Sequence, residues 1–186
     1  MSVFPKPYAD RVARLRVTTG FLLAAMFAWL ARPSLDSLAW GLPLSVVGLL
    51  LRAWAAGHLE KNTRLAVAGP YAHVRNPLYL GTLLVAVGLV IASQRWVLAV
   101  LFVLVFGLIY LPAIELEEQH LRSLFPDFAD YAERVPALWP SWKAARAATG
   151  SFRWPLYVRN REYQALLGFL GGAIWLIAKV VVLRGR

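Results

Sequence analysis

Apolar residues fall into five long runs, about Val17–Ala31, Leu38–Ala56, Leu78–Ser93, Trp96–Ile114 and Gln164–Leu183. A helix needs about 20 mainly apolar residues to cross a bilayer. The first and third runs are short by that measure. The pattern predicts an all-α, polytopic membrane helical bundle of about five transmembrane helices. Only Ser93-Gln94-Arg95 separates the third run from the fourth, which leaves room for a tight helical hairpin and nothing larger. Gly81, Gly88 and Gly107 are spaced through that pair and would allow the two helices to approach closely. Ahead of the first run, Pro7–Arg16 reads as an interfacial helix feeding into it. No small-residue cleavage site clearly follows the first run, so it does not read as a removable signal.

Two polar stretches interrupt the runs. In His58–Tyr79, Pro70 and Pro77 each bar a continuing helix, and Pro77 suits the first turn of the third span. In Glu115–Pro140, Leu116, His120 or Leu121, and Leu124 recur at helical spacing. The fourth span is therefore expected to run on into a helix that leaves the membrane. Pro126 ends it, Asp127 is placed to cap a short helix through Tyr131 to Arg134, and Val135-Pro136 ends that one. The whole reads as one domain, 1–186. Residues 1–57 form scaffold spans, about 58–140 a core that holds both polar stretches, and 141–186 a C-terminal segment carrying the fifth apolar helix.

Composition strengthens the membrane reading. Hydrophobic residues make up 59% of the chain and charged residues 16%, with mean hydropathy +0.55. A soluble domain typically has about 25% charged residues and must face much of its surface to water. The net charge of +10 would suggest nucleic acid in a soluble protein. Here the basic residues sit between apolar runs, where they set topology and meet anionic headgroups, so no nucleic-acid partner is implied, nor any obligate protein partner. Lys6, Arg11, Arg14 and Arg16 precede the first span. Arg52, Lys61, Arg64 and Arg75 lie around the second loop, and Arg122, Arg134, Lys143, Arg146, Arg153, Arg159 and Arg161 follow the fourth span. The opposite loops carry Arg32 and Arg95. Positive-inside places the N-terminus and both polar stretches in the cytosol. Five spans then leave the C-terminus outside. Lys179, Arg184 and Arg186 pull mildly the other way, leaving a re-entrant or interfacial fifth run as the alternative.

There is no cysteine, hence no thiolate ligand, disulfide or cysteine nucleophile. His58, His73 and His120 do not have metal-site spacing, so no metal is expected. A Gly-x-Gly-x-x-Gly, a P-loop and a Gly-x-Ser-x-Gly are all missing. Two clusters remain. Glu115 and Glu118 share a helix face just beyond the fourth run, with Glu117 pointing elsewhere. They are either solvated among headgroups or holding a cationic ligand at the membrane edge. Arg75-Asn76-Pro77-Leu78-Tyr79 stands at the mouth of the third span, as an interfacial belt or as a pocket for a zwitterion.

Gly69-Pro70-Tyr71-Ala72-His73-Val74-Arg75-Asn76-Pro77-Leu78-Tyr79-Leu80-Gly81 resembles the motif of the isoprenylcysteine carboxyl methyltransferases and the related phospholipid N-methyltransferases. Glu117-Glu118, followed by Leu121, Phe125, Phe128, Tyr131 and Arg134-Val135-Pro136, resembles that superfamily's second signature. Together the blocks cover about Leu65–Pro140. The resemblance implies a membrane enzyme that binds S-adenosylmethionine outside any Rossmann fold and methylates a lipophilic acceptor, either a lipid amine, a carboxylate or another small amphiphile. Carried over by position, Leu65, Tyr71, Asn76, Pro77, Leu78, Tyr79, Glu117 and Glu118 would bind the cofactor, with backbone contacts from Thr63–Ala66. Arg75, Asn76 and Glu117 would form the catalytic set. Glutamates suit the cofactor's cationic parts and Arg75 its carboxylate. Methyl transfer needs the acceptor aligned about 3–3.5 Å from the methyl. Asn76 stands where many relatives have histidine, and it cannot titrate. Ala113 stands where prenylcysteine enzymes carry a substrate-binding arginine, which counts against a prenylcysteine acceptor. Asn160-Arg161-Glu162, at the start of the fifth run, is expected to face the site. The competing classes are a non-catalytic lipid-binding membrane protein and a small transporter. The latter would want ionisable residues deep in the spans, where only Arg52 and Lys179 come close.

Overall fold

The computed structural model describes residues 6–142 and 150–184. Among these all regular structure is helical, with no strand: α1 (Lys6–Leu30), α2 (Leu35–Ala56), α3 (Pro77–Ser93), α4 (Trp96–Val105), α5 (Leu111–Leu124), α6 (Phe128–Arg134), α7 (Trp154–Arg159) and α8 (Tyr163–Arg184). A single 3₁₀ turn, Gly69–Ala72, precedes α3, and a π-helical turn, Phe106–Tyr110, joins α4 to α5 without a break. Three stretches are long and apolar enough to cross a membrane, namely Leu35–Ala56, Trp96–Leu124 and Tyr163–Val182. Two shorter apolar helices, Thr18–Leu30 and Pro77–Ser93, complete the bundle.

Local chemistry sets the helix ends. Ser34 and Ser37 form a reciprocal capping box at the start of α2. Pro77 occupies the first turn of α3, where its missing N–H goes unneeded. Gln94 adopts the left-handed conformation (φ 53°) and turns the chain from α3 into α4 within two residues. Asp127 does sit at the N-terminus of α6, but its side chain makes no capping bond there. The carboxylate was expected to cap, yet the residue holds a helical φ/ψ instead of the extended one that aims a capping oxygen at the helix.

Helix α3 packs mainly on α2, not on its hairpin mate α4. A Cβ on Gly41 would collide with the backbone at Gly88 and Ala92, and one on Gly48 with Gly81 and Val85. Into this seam Ser45 Oγ donates to the Val85 carbonyl at 2.9 Å, and Ser37 Oγ to that of Ala92 at 2.9 Å. Gly81 and Gly88 therefore serve close approach, as expected, but toward a different helix. Gly107 meets nothing nearby.

Helix α8 runs from one end of the bundle to the other. At its start, buried Glu162 pairs with Arg52 of α2. Near its other end Lys179 Nζ donates to the carbonyls of Ala28, Trp29 and Ala31, each at 2.8 Å, satisfying the exposed C-terminus of α1. Exposed tryptophans cluster at both ends, with Trp29, Trp40 and Trp96 at one and Trp54, Trp139, Trp142 and Trp154 at the other. Between them α4 and α8 present exposed Val100, Val103, Leu167 and Ile174. That is an apolar band between aromatic belts, the surface of an integral membrane protein.

Candidate active site

Beyond the band, at the end that holds Arg52 and Glu162, the loop after α2, the start of α3 and the helices α5 and α6 enclose a cavity of about 340 Å³. This lies in the range of small-molecule sites. Both polar stretches meet in it. Leu65, Tyr71, Arg75, Asn76, Pro77, Leu78 and Tyr79 line it from one side, and Glu117 and Glu118 from α5. Of the stretch Thr63–Ala66, residues 64–66 reach the wall and Thr63 does not.

The two glutamates are held differently. Glu118 accepts a fork from Arg75, Nε to Oε1 and Nη2 to Oε2, both at 3.0 Å. Asn76 Nδ2 adds a bond to Oε1 at 2.8 Å. The other Arg75 terminal nitrogen donates to the carbonyls of Ala132 and Val135 at 2.7 Å each. The second Asn76 amide hydrogen goes to the Ala137 carbonyl at 3.2 Å. Backbone bonds Arg75 N to Pro136 O and Asn76 N to Ala137 O run alongside. Arg75, Asn76 and Glu118 thus form one latch joining the start of α3 to α5 and α6. A planar fork is what makes arginine suited to it. Glu117, one residue earlier and 100° around the helix, receives the Tyr79 hydroxyl at 3.0 Å. Tyr79 in turn packs edge-on against Tyr110, with ring centroids 6.3 Å apart.

Tyr71 is buried in the rear wall. Burial first, then the Glu117 charge, pushes its phenol above the ordinary tyrosine range. Tyr131 is pushed up as well, chiefly by burial, and its hydroxyl donates to the Tyr71 carbonyl at 2.8 Å. Both phenols stay neutral and brace the wall. Behind them, Arg52 donates to Glu162, to the Leu78 carbonyl and to Thr82 Oγ1. Asn160 caps the end of α2 through the carbonyls of Ala56 and Leu59, both at 2.9 Å. The segment 160–162 thus supports the cavity from behind without lining it.

Sequence reasoning missed part of the wall, including Leu59, Glu60, Lys61 and Asn62. Asn62 takes φ 61°, and asparagine's tolerance of that region was the available signal for a turn here. Glu60 is paired with Arg153 from the segment before α7, a contact with no sequence signature.

An apolar helical bundle with an acid-bearing cavity at one rim is the architecture of an integral membrane protein with a candidate site at its edge. Residues 15–127 match the phospholipid methyltransferase family, and the chain belongs to that family. It is 30% identical over 182 residues to the cobalt-zinc-cadmium resistance protein CzcN of Cupriavidus metallidurans, an overlap covering 92% of this chain and 79% of that one. It is also 30% identical over 189 residues to the nickel-cobalt-cadmium resistance protein NccN of Alcaligenes xylosoxydans xylosoxydans, covering 92% and 80%. No solved structure matches it.

Proposed function

We propose that the protein transfers a methyl group from S-adenosylmethionine to a lipophilic acceptor at the cytosolic face of its membrane. The observation that carries this reading is the convergence of the start of α3 and the acidic stretch of α5 on one cavity, with Glu117 and Tyr79 paired in its wall. The donor set suits the cofactor: a carboxylate for cationic groups, backbone and apolar surface at Leu65, Ala66 and Leu78 for the remainder, and Lys61 and Arg64 at the rim for an anionic group. Arg75 is committed to Glu118. In this reading it acts by holding the two walls together, and the catalytic part expected of Arg75 and Asn76 becomes one of positioning.

When bound, S-adenosylmethionine supplies an electrophilic methyl on a sulfonium centre. Glu117 provides negative charge at the wall, and Tyr79 orients that carboxylate. Phe128 and Leu121 limit access of water. An unprotonated amine, its proton already lost to water, or a carboxylate is nucleophilic as it stands, so no side chain here is assigned as a base, in keeping with asparagine at position 76. The cavity end carries Arg52, Lys61, Arg64 and Arg75, and the opposite end Arg32, Arg95 and Lys179. With the basic residues that flank α6 and α7, this supports a cytosolic site. Among the described residues no three of His, Asp or Glu gather as a metal site.

The test is calorimetric binding of S-adenosylhomocysteine to detergent-purified protein. Wild type should bind. Glu117→Gln should weaken binding about tenfold, the scale of one charge-assisted contact, and Tyr79→Phe by less. A folded wild type that fails to bind overturns the function; unchanged affinity in both variants rejects the site.

A further inference from the structure

We propose that Arg153, which does not itself line the cavity, is a positioning residue for it: through Glu60 it holds the turn that carries Lys61 and Arg64 at the wall, so that these two bases take the carboxylate end of the methyl donor. This rests on the methyl-transfer reading above. The turn folds on one residue. The Glu60 carbonyl accepts from Thr63 N at 3.2 Å, from Arg64 N at 3.3 Å and from Thr63 Oγ1 at 3.1 Å. Asn62 supplies the left-handed step inside it. Lys61 and Arg64 are exposed on this turn and line the cavity. Among the described residues neither side chain has a hydrogen-bond or ion-pair partner. Their charges are open to a ligand, whereas that of Arg75 is held by Glu118.

The turn is a thin wall. Glu60, Arg64, Leu65 and Ala66 line the cavity and also a second one of about 230 Å³. Residues 150, 151 and 153 bound that second cavity, and their segment is fixed to the end of α2 at three points. Arg153 N donates to the Gly57 carbonyl at 2.9 Å. Phe152 packs so closely on Gly57 that a Cβ there would overlap its ring. The Gly150 carbonyl lies 3.3 Å from His58 Nε2. From this fixed segment the Arg153 side chain reaches out, and its Nη1 donates to the Glu60 carboxylate. Past the turn, Leu65 and Val67 pack on Phe128, Tyr131 and Val135, which anchors the other end. With space on both faces, the stretch carrying the two bases takes its position from the ion pair. A pair this open to water, with side chains 55% and 31% exposed, adds little to stability. Its effect on position is therefore separable from any effect on folding.

The experiment compares, in detergent, the affinities for S-adenosylhomocysteine and for its decarboxylated form, which lacks only the group assigned to Lys61 and Arg64. Wild type should prefer the former about tenfold, the scale of one charge-assisted contact. Arg153→Gln should cut that preference to about twofold by weakening S-adenosylhomocysteine alone. The affinity for the decarboxylated form and the thermal midpoint should not move. Arg153→Lys keeps the charge and should retain most of the preference. Glu60→Gln separates position from field. Removing a negative charge would by Coulomb attraction alone strengthen the hold on a carboxylate, whereas losing the anchor of the turn weakens it. The preference should fall as in Arg153→Gln, and the double variant should lose no more than either single one. A stronger preference in Glu60→Gln, an unchanged one in Arg153→Gln, or equal weakening of both ligands overturns the proposal. So does a wild type that binds both ligands alike. Failure of wild type to bind S-adenosylhomocysteine at all refutes the methyl-transfer reading instead.

Discussion

The glycines of the α2–α3 seam and those of α8 do opposite things with the same side chain. In the seam, Gly41, Gly48, Gly81 and Gly88 let two backbones touch, so any Cβ would overlap the partner helix. In α8, Gly168, Gly171 and Gly172 face open space. Small residues drive helix association in membranes only where a partner backbone closes on them. Elsewhere they leave room. The difference separates a rigid half, which fixes the register of Pro77–Tyr79 at the cavity, from an open half beside it. Gly88→Val is the severest way to break this contrast, because its branched side chain would push into both Ser45 and the Gly41 carbonyl. Loss of about 3 kcal/mol is expected, the upper range for overpacking, read as a lowered thermal midpoint in detergent. Gly172→Leu should melt close to wild type. Equal midpoints for the two variants would erase the distinction.

A smaller effect sharpens the rigid half. Arg52 extends the seam to α8 through Glu162, which is only 7% exposed. Arg52→Met leaves that carboxylate buried without a counter-ion. Breaking a buried pair typically costs about 3–5 kcal/mol, and the partial exposure of Arg52, 22% of its side chain, lowers the expectation to about 2 kcal/mol. Adding Glu162→Met should recover most of it, since the penalty lies in the orphaned charge and not in a missing attraction. A double variant no more stable than the single one would show that the pair is itself the stabilising element.

These contrasts mark what the sequence could and could not disclose. Apolar runs located the helices, and prolines 77, 126 and 136 marked their ends, because chain geometry enforces both locally. The meeting of Tyr79 with Glu117 was legible because two motifs pointed to the same place. The partner of α3 was not. In a bilayer every helix face is apolar, so periodicity does not say which face meets a neighbour and which meets lipid, and Gly81, Gly88 and Gly107 read alike. The Arg52–Glu162 pair spans 110 positions in sequence and has no local signature. A sequence displays the charge of Arg75 but not the Glu118 fork and the Ala132 and Val135 carbonyls that it meets.

The smallest expected effect tests how the acidic helix is aimed. Pro112 lies one residue beyond Leu111, where the π turn ends, and has no N–H, so the carbonyl four residues back, that of Leu108, lacks its α-helical donor. The Tyr8 hydroxyl of α1 reaches that carbonyl at 2.8 Å. A carbonyl that proline denies its α-helical donor thereby receives one from another helix, two residues before Tyr110. Interruptions of this kind often sit at functional sites. Tyr8→Phe removes one neutral hydrogen bond at a half-exposed position and should cost about 1 kcal/mol. It should also weaken S-adenosylhomocysteine binding a few-fold by loosening the axis of α5. In a Pro112→Ala background the backbone can supply its own donor, and Tyr8→Phe should then cost almost nothing. If the two substitutions instead add, Tyr8 is only packing against α5, and the π turn is held by the helix itself.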